Sequence, residues 1–227
     1  NEIYRLAAAE KEADGAINRE DRFLVGTAEP SLLAYHAGEV LDGAALPMRL
    51  AGFSQCYRSE IGSYGRDTKG MYRVHEFFKV EQVVLCAADM READALQTEM
   101  MGISEEMHRE LGIPYRKLQI CTGDLGAGKY RQFDLEAWMP GLDRWGETGS
   151  SSNFLDWQSR RLNVKYTDPE TGERKHVYML NNTALPSPRI LIAILENYQQ
   201  ADGSVMIPEV LQPYVGKDRI VPKAASK

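Results

Sequence analysis

The chain has 227 residues, 43% of them hydrophobic and 26% charged, and its formal net charge is −6 at pH 7. This length and apolar content suit one domain with a buried core, whereas the negative charge argues against a protein that coats nucleic acid through a basic surface. No apolar run approaches the roughly 18 residues of a membrane span, and no signal-peptide pattern opens the sequence.

The first half of the sequence predicts a short strand, a helix and a long β-hairpin. Phe23–Val25 has the pattern of a short buried strand, and Pro30 suits the first turn of a helix through residue 41. Residues 48–60 and 72–86 alternate apolar and polar side chains, which predicts two antiparallel strands. The segment between them is rich in glycine and charge and predicts a loop.

The second half predicts two helices and further strands. Asp89 is a good N-cap, with Glu92 completing a capping box, for a helix that reaches Leu111. Residues 131–138 and 175–180 predict strands, the second preceded by a turn at residues 168–173. Ser187 is a possible N-cap for a last helix that begins at Pro188 and ends before Gly203; residues 190–195 are apolar all round, which predicts a fully buried helix. Strands grouped in hairpins beside helices predict an α+β fold with an antiparallel sheet.

The predicted hairpin concentrates charged residues on two faces. Arg58 and Glu60 share one face of the first strand, and Phe77, Lys79 and Glu81 share one face of the second, because side chains two apart point the same way. If these faces coincide, a guanidinium, an aromatic ring and carboxylates line one groove, which suits a nucleotide. The alternative is a solvated hairpin whose ion pairs cover one face.

Four segments in succession carry a family resemblance. They are TAEP from residue 27, CYRSEIGSYGRDTKGMYRVHEFFKVEQ from residue 56, ETGSSSNFLDWQSRRLN from residue 147, and NNTALPSPRILIAILENYQQADGSVMIPEVLQPY from residue 181. From about Phe23 to Tyr214 the chain resembles the seryl-tRNA synthetases, which are class II aminoacyl-tRNA synthetases. The resemblance implies an antiparallel sheet flanked by helices, ATP and L-serine as substrates, a seryl-adenylate intermediate and transfer of serine to the 3′-terminal ribose of tRNA(Ser).

The resemblance also divides the chain. Residues 1–22 are expected to be a tail or the remnant of an upstream segment, residues 23–215 a partial catalytic domain, and residues 216–227 a C-terminal tail. The coiled-coil arm of the family and its motif one, which builds a homodimer, have no counterpart upstream of Phe23.

Cys56, Cys86 and Cys121 are odd in number and widely spaced, as is typical of reduced thiols. Reduced thiols predict a cytoplasmic protein. The lack of an apolar span and the negative net charge predict that it has no membrane or DNA partner.

The family implies one set of residues for ATP and Mg²⁺. Arg58 aligns with the arginine that grips the α-phosphate and Arg189 with the one that holds the γ-phosphate, so both are expected to be catalytic. Phe77 aligns with the ring that stacks on adenine, while Glu147 and Ser150 align with the magnesium ligands. The full ATP-binding set implied is Arg58, Ser59, Glu60, Val74, His75, Glu76, Phe77, Glu147, Thr148, Gly149, Ser150 and Arg189.

A second set is implied for the amino acid and the tRNA. Glu81 aligns with the glutamate that binds serine, and the implied serine-binding residues are Thr27, Ala28, Glu29, Arg58, Glu81 and Thr183. Arg66 and Lys69 are expected to meet the tRNA acceptor end. Gly149 stands where the family usually has serine, and Pro186 and Pro188 stand where many relatives are rich in glycine.

Two other functions remain open. An amino acid:carrier-protein ligase would activate a small amino acid without tRNA, through a zinc-bound pocket with Cys, Glu and His ligands. A truncated relative would serve as a non-catalytic binding or regulatory protein. The TAE segment and Glu81 favour the serine-type site over the first alternative, and the presence of Arg58, Glu147 and Arg189 argues against the second.

Overall fold

The structure, a computed structural model, describes residues 3–6, 22–61 and 70–222 of the chain. Its strands are β1 (Arg5–Leu6), β2 (Arg22–Phe23), β3 (Val40–Asp42), β4 (Met48–Tyr57), β5 (Glu76–Cys86), β6 (Tyr115–Gln119), β7 (Arg131–Met139), β8 (Arg144–Asn153), β9 (Lys165–Thr167), β10 (Arg174–His176), β11 (Tyr178–Pro186), β12 (Val205–Met206) and β13 (Arg219–Ile220). Its helices are α1 (Glu29–Ala34), α2 (Met90–Glu110), α3 (Trp157–Leu162), α4 (Arg189–Tyr198) and α5 (Gln212–Val215). Short 3₁₀ turns cover Gly43–Ala45, Pro140–Leu142 and Glu209–Leu211.

A six-stranded sheet in the order β4-β5-β11-β8-β7-β6 forms the centre of the fold, and every neighbouring pair in it is antiparallel. The predicted hairpin is its β4–β5 pair, with Met48 opposite Leu85 and Tyr57 opposite Glu76. The two strands are shorter at the loop end than predicted. The α+β fold with an antiparallel sheet is confirmed.

Helices α2 and α4 cover one face of this sheet. Val84 and Leu180, from the two central strands, pack with Ala93, Leu96 and Met100 of α2 in one buried cluster. These α2 residues are spaced three and four apart, as one face of a helix requires. The Asp89 side chain accepts a hydrogen bond from the Glu92 backbone N–H at 2.9 Å, which confirms the N-cap.

Helix α1 and a small sheet in the order β10-β9-β3 cover the other face. Val83 and Leu85 of β5 pack there against Leu33, Val164 and Met179. Because side chains alternate along β5, Val83 and Leu85 lie on the same face as Glu81 and Lys79. Glu81 and Lys79 lie nearer the loop between β4 and β5. One face of β5 therefore carries the core at one end and polar residues at the other.

Three predictions about elements are wrong. Helix α4 is not buried all round, since Leu191 is 45% exposed while Ile190 and Ala193 are buried, because α4 lies on the sheet surface and packs through one stripe. The first predicted strand is not buried either. Phe23 of β2 is 46% exposed because β2 pairs with β1 away from the main sheet. Helix α1 ends at Ala34, well before residue 41.

Smaller differences lie at element boundaries. Residues 40 and 41, predicted as helix, belong instead to β3, which pairs in parallel with β9. The strand predicted over residues 175–180 is divided at Val177 between β10 and β11. Ser187 does not cap α4; its hydroxyl bonds instead with the backbone of Phe78. Within the described ranges, no helix combines the length and the apolar character needed to cross a membrane.

We expect Asp89→Ala to lower the free energy of unfolding by about 1 kcal/mol, because it removes the acceptor for a free N–H in the first turn of α2. Urea unfolding followed by circular dichroism measures this change. Asp124→Ala, in an exposed loop, is the matched control and should leave the midpoint unchanged. Equal effects of the two substitutions would contradict the capping role.

Candidate active site

An open cleft with a volume of about 210 Å³ lies at the loop end of the central strands, beside the N-terminus of α4. Strands β5, β8 and β11, the start of α4 and the connection between β4 and β5 all contribute to its walls. The predicted site residues that line it are Arg58, Glu60, Val74, Phe77, Glu147, Thr148, Gly149, Thr183 and Arg189. Arg58 and Arg189, which are 131 positions apart, thus share one cavity.

Arg58 follows the end of β4 and is held from two sides. Its Nε donates to the backbone oxygen of Gly26 at 3.3 Å, and its guanidinium carbon lies 5.2 Å from the centre of the Phe77 ring. Its backbone N–H donates to the oxygen of His75 at 2.9 Å. The cation is therefore fixed between the β5 ring and the segment that precedes α1.

Arg189 begins α4, where free backbone N–H groups already favour an anion. Its Nε donates to the Tyr72 oxygen at 3.2 Å, and its guanidinium carbon lies 4.5 Å from the centre of the Tyr72 ring. Its Nη1 donates to the Glu147 backbone oxygen at 2.9 Å and lies 3.3 Å from Glu147 Oε2. These contacts hold a second cation at the rim of the cleft.

The β8 segment that carries Glu147 contains a register shift. Glu147 pairs with Glu136, but the next pair along joins Gly149 to Leu135, so Thr148 is an extra residue. A single extra residue reverses the alternation of side chains. It therefore places Glu147 and Ser150, which are three apart, on the same face of the sheet.

This shared face supports the predicted metal ligands in part. A carboxylate and a hydroxyl are the hard oxygen donors that Mg²⁺ prefers. Glu147 lines the cleft, and its side chain is 47% exposed. Ser150 is not among the described residues that line the cleft, and its Oγ lies 3.1 Å from Gln132 Nε2, which donates to it. The assignment of both as ligands stays a prediction.

Gly149 has a structural reason to be glycine. A Cβ added there would lie 3.1 Å from the backbone oxygen of Thr183, closer than most real Cβ contacts. The residue that departs from the family pattern therefore lets β8 approach the irregular part of β11, where the register shifts after Thr183.

Lys79 and Thr183 form the floor of the cleft, and a buried carboxylate lies directly beneath them. Glu81 is 1% exposed, and its Oε2 is 2.6 Å from Lys79 Nζ and 3.3 Å from Thr183 Oγ1, which donates to it. Burial raises the pKa of the Glu81 carboxyl above its ordinary value, while Lys79 acts in the opposite direction. Glu29 also raises this pKa, and the hydrogen bond from Thr183 lowers it. The Glu81 carboxylate, which is a hydrogen-bond acceptor, and the Thr183 hydroxyl together form a small polar recess.

Residues 27–29, the predicted serine-binding segment, come close to this recess because the β4 residue opposite Glu81 is a glycine. Gly52 of β4 lies opposite Glu81, and a Cβ there would lie 3.2 Å from Leu32 and 3.3 Å from Ala28. The absence of a side chain lets α1 come close to the sheet. Glu29 accepts a hydrogen bond from Gln158 Nε2 at 2.6 Å, and Thr27 Oγ1 accepts one from the Glu29 backbone at 3.4 Å.

Other predicted residues lie beside the cleft. Among the described residues, Ser59, His75, Glu76, Thr27, Ala28, Glu29 and Glu81 are not part of its lining. His75 Nδ1 lies 3.0 Å from the Tyr4 hydroxyl and 3.1 Å from the Arg58 oxygen, so it braces the arginine backbone. Glu76 bonds with Gln55 across the β4–β5 pair. Arg66 and Lys69 lie outside the described residues.

Three residues of the site were not assigned a role from the sequence. Tyr72 stacks on Arg189, and Lys79 pairs with Glu81. Asn181 shares a face with Thr183, and its Oδ1 is buried without a hydrogen-bond partner in the part of the chain that the structure describes. Strand alternation placed Lys79 on the face of Glu81 and could have indicated Asn181. Tyr72, at the start of the predicted strand 72–86, lies ahead of β5 in the structure, and no pattern indicated its contact with Arg189.

A buried histidine supports the site from the opposite face of the sheet. His108 of α2 is fully buried; its Nδ1 lies 2.8 Å from the Ser104 oxygen and its Nε2 lies 2.8 Å from Thr148 Oγ1. A backbone oxygen only accepts, so Nδ1 carries the hydrogen. The single hydrogen of the Thr148 hydroxyl has two acceptors within reach, the Leu135 oxygen at 3.2 Å and Nε2, and with a neutral ring it is the closer Nε2 that accepts. Burial lowers the pKa of His108 below its ordinary value. The extra residue of β8 is thus anchored to α2.

The antiparallel sheet, the two arginines above one cleft and the buried carboxylate define a class of protein. A family model described as the tRNA synthetase class II core domain (G, H, P, S and T) matches residues 12–198. The chain belongs to this family of class II tRNA synthetase core domains.

Within this class, the chain is similar to serine–tRNA ligases. The enzyme of Treponema denticola is 50% identical over 207 residues, which are 90% of this chain and 48% of the relative. The seryl-tRNA synthetase of Pyrococcus horikoshii, in a crystal structure complexed with ATP, matches with a TM-score of 0.88 and 43% identity, over 98% of this chain and 47% of that one. The cytoplasmic serine–tRNA ligase of Naegleria fowleri in complex with AMP matches with a TM-score of 0.88 and 40% identity, over 98% and 45%.

These comparisons confirm the resemblance that the sequence motifs predicted. They also show that the chain spans about half the length of the curated relatives it matches. What the whole relatives do is therefore considered below as a proposal for this chain.

We expect the free energy of unfolding to fall as the pH drops below about 6.5, the ordinary pKa of histidine. The unfolded chain then binds a proton at His108 that the folded protein, with its lowered pKa, does not take up. His108 can contribute at most about 1.4 kcal/mol per pH unit to this slope. Urea unfolding at about pH 7.5 and about pH 5.5 measures it.

In His108→Gln this part of the pH dependence should disappear. His176→Gln, on the half-buried β10, is the control and should keep the wild-type slope. A wild-type slope in His108→Gln would show that the proton is taken up elsewhere.

Proposed function

We propose that this chain is the ATP-dependent catalytic core of a serine–tRNA ligase, an enzyme that activates L-serine as seryl-adenylate and transfers it to the 3′-terminal ribose of tRNA(Ser). One observation carries the proposal: Arg58 and Arg189 converge on a cleft whose lining also includes Lys79 and Thr183, the two partners of the buried Glu81. The relatives, at 45–50% identity, support the same activity, as does the Pyrococcus horikoshii complex with ATP.

The first step joins two substrates that the cleft brings together. An oxygen of the serine carboxylate attacks the α-phosphorus of ATP, a new O–P bond forms, the bond to the β-phosphate breaks, and pyrophosphate leaves with the electron pair. Arg58 offsets the charge that develops on the α-phosphate oxygens, and Arg189 holds the γ-phosphate end. No side chain needs to act as a nucleophile, because binding orients the carboxylate of the substrate.

Arg189 has to change partners when ATP binds. It rests on Glu147 and Tyr72 in the structure. The phosphate is a stronger anionic partner, and Tyr72 can continue to support the cation through its ring. Glu147, with Ser150, would then be the residue to hold Mg²⁺, and the ion would supply positive charge that offsets the charge of the phosphates.

Serine is selected at the cleft floor. The Glu81 carboxylate accepts a hydrogen bond from the serine hydroxyl, and Thr183 completes the polar recess. A site built to bond a hydroxyl rejects analogues that lack it, because its buried polar groups would then be unpaired. Asn181, with its buried and unpartnered oxygen on the same face, supports a further polar contact to the amino acid.

The second step and the assembly are also parts of the proposal. Arg66 and Lys69 would contact the tRNA acceptor end, and the full-length protein would be a homodimer. A cytoplasmic location is supported by the free Cys56, Cys86 and Cys121 and by the cytoplasmic Naegleria relative. The Glu81–Thr183 pair, which fits a hydroxyl, favours this function over the carrier-protein ligase. The shared cleft favours it over a non-catalytic protein.

We expect Arg58→Ala to lower kcat for serine-dependent ATP–pyrophosphate exchange by about 100- to 1,000-fold, the effect of removing one preorganised partner of developing charge. The assay follows labelled pyrophosphate into ATP. Arg49→Ala is the matched control, because Arg49 lies on β4, the strand that leads to Arg58, but pairs with Glu99 at the surface. Undiminished exchange in Arg58→Ala would defeat the assignment.

We expect Glu81→Gln to lower kcat/KM for serine by about 10- to 100-fold, because a hydrogen bond to a charged acceptor is replaced by a neutral one. The KM for ATP should not change. Alanine is the internal control, since it has no hydroxyl and its weak activation should change little. An equal loss with both amino acids would show that Glu81 does not bind the hydroxyl.

A further inference from the structure

Lys79 is a buried cation that the proposed mechanism has not used. It is 7% exposed, and its Nζ lies 2.6 Å from Glu81 Oε2. Lysine is seldom buried to this extent unless it is paired. Since Lys79 also lines the cleft, its ammonium lies where the amino acid is proposed to bind.

The groups around Glu81 show that Lys79 is the counter-ion of its negative charge. From β5 itself the charged neighbour is Lys79, from α1 it is Glu29, and β11 contributes the neutral Thr183. On the β4 side the residue opposite is Gly52, which has no side chain. Across residues 3–6, 22–61 and 70–222, the one basic side chain within ion-pair distance of Glu81 is Lys79.

We propose that Lys79 is the positioning residue for serine selection: it holds Glu81 ionised and in one orientation, so that the carboxylate can accept the hydrogen bond of the substrate hydroxyl. The substrate in this inference rests on the proposed function, whereas the action of Lys79 on Glu81 does not. Lys79 acts through Glu81 and is not itself a catalytic residue.

The chemistry of the pair explains the need for such a residue. A protonated Glu81 would offer a hydrogen of its own where the serine hydroxyl needs an acceptor. Burial and the nearby Glu29 both favour the protonated form, and Lys79 opposes them. Removing one partner of a buried pair leaves the other uncompensated, and a buried carboxyl then binds a proton.

The first experiment measures pyrophosphate exchange in Lys79→Met, which keeps an unbranched side chain only one atom shorter and removes its charge. We expect the KM for serine to rise by about 10- to 100-fold with little change in the KM for ATP. The activity of the variant should recover with rising pH as Glu81 ionises, whereas wild type should show no such recovery. Lys79→Arg, which keeps the charge, should restore part of the affinity for serine.

Lys117→Met is the matched control for the loss of an ion pair. Lys117 Nζ lies 2.6 Å from Glu105, the same distance as in the buried pair, but its side chain is 42% exposed. Exposed pairs contribute little, so serine KM and the pH profile should stay as in wild type. An unchanged serine KM and pH profile in a folded Lys79→Met would overturn the proposal.

A double variant distinguishes a role of Lys79 through Glu81 from an independent role. The double variant Lys79→Met/Glu81→Gln removes both charges, so it avoids an uncompensated buried carboxylate and should fold even if Lys79→Met alone does not. If Lys79 acts through Glu81, the double variant should have the serine KM of Glu81→Gln alone. A further rise in serine KM would show an independent role and overturn the inference.

A second readout does not depend on activity. The carboxyl ¹³C resonance of Glu81, assigned by its loss in Glu81→Gln, reports the ionisation of this group as a function of pH. We expect its titration to move to higher pH in Lys79→Met, and to stay in place in Lys117→Met. A titration unchanged by Lys79→Met overturns the proposal. If wild type shows no serine-dependent exchange but the titration moves, the function fails while the pairing role stands.

Discussion

The antiparallel pairing of β5 with β11 is the constraint on which the site depends. It sets Glu81 opposite Thr183 at the floor of the cleft, and it sets Lys79 opposite Pro186, just before the start of α4. The same two strands continue into the buried core, where Val83, Leu85 and Met179 pack under α1. The polar recess is therefore the end of a rigid apolar sheet, and its geometry follows from core packing.

The charges of the cleft are arranged by depth. Cations stand near its rim, where Arg58 lies over Phe77 and Arg189 over Tyr72. A carboxylate lies beneath its floor, balanced by Lys79. The aromatic rings hold both cations without neutralising their charge, which is the arrangement that the proposed binding of a polyanion requires.

Two irregular strands adapt the sheet to this chemistry. The register shift in β8 turns Glu147 and Ser150 to one face, and the shift in β11 follows Thr183 directly. Gly149 lets the two irregular segments approach each other. On the opposite face, His108 anchors the extra residue Thr148 to α2. The long helix therefore supports the site although it contributes nothing to the cleft.

Local pattern and family motifs in the sequence were sufficient to predict the antiparallel fold, the capped α2 and the hairpin that carries Arg58 and Glu81. They could do so because alternation, capping and motif spacing are encoded in neighbouring residues. The tertiary structure alone decided that α4 and β2 are partly exposed, that Lys79 is the counter-ion of Glu81, and that Tyr72 supports Arg189. Burial and ion pairing depend on which distant segments meet, and no local period in the chain specifies that.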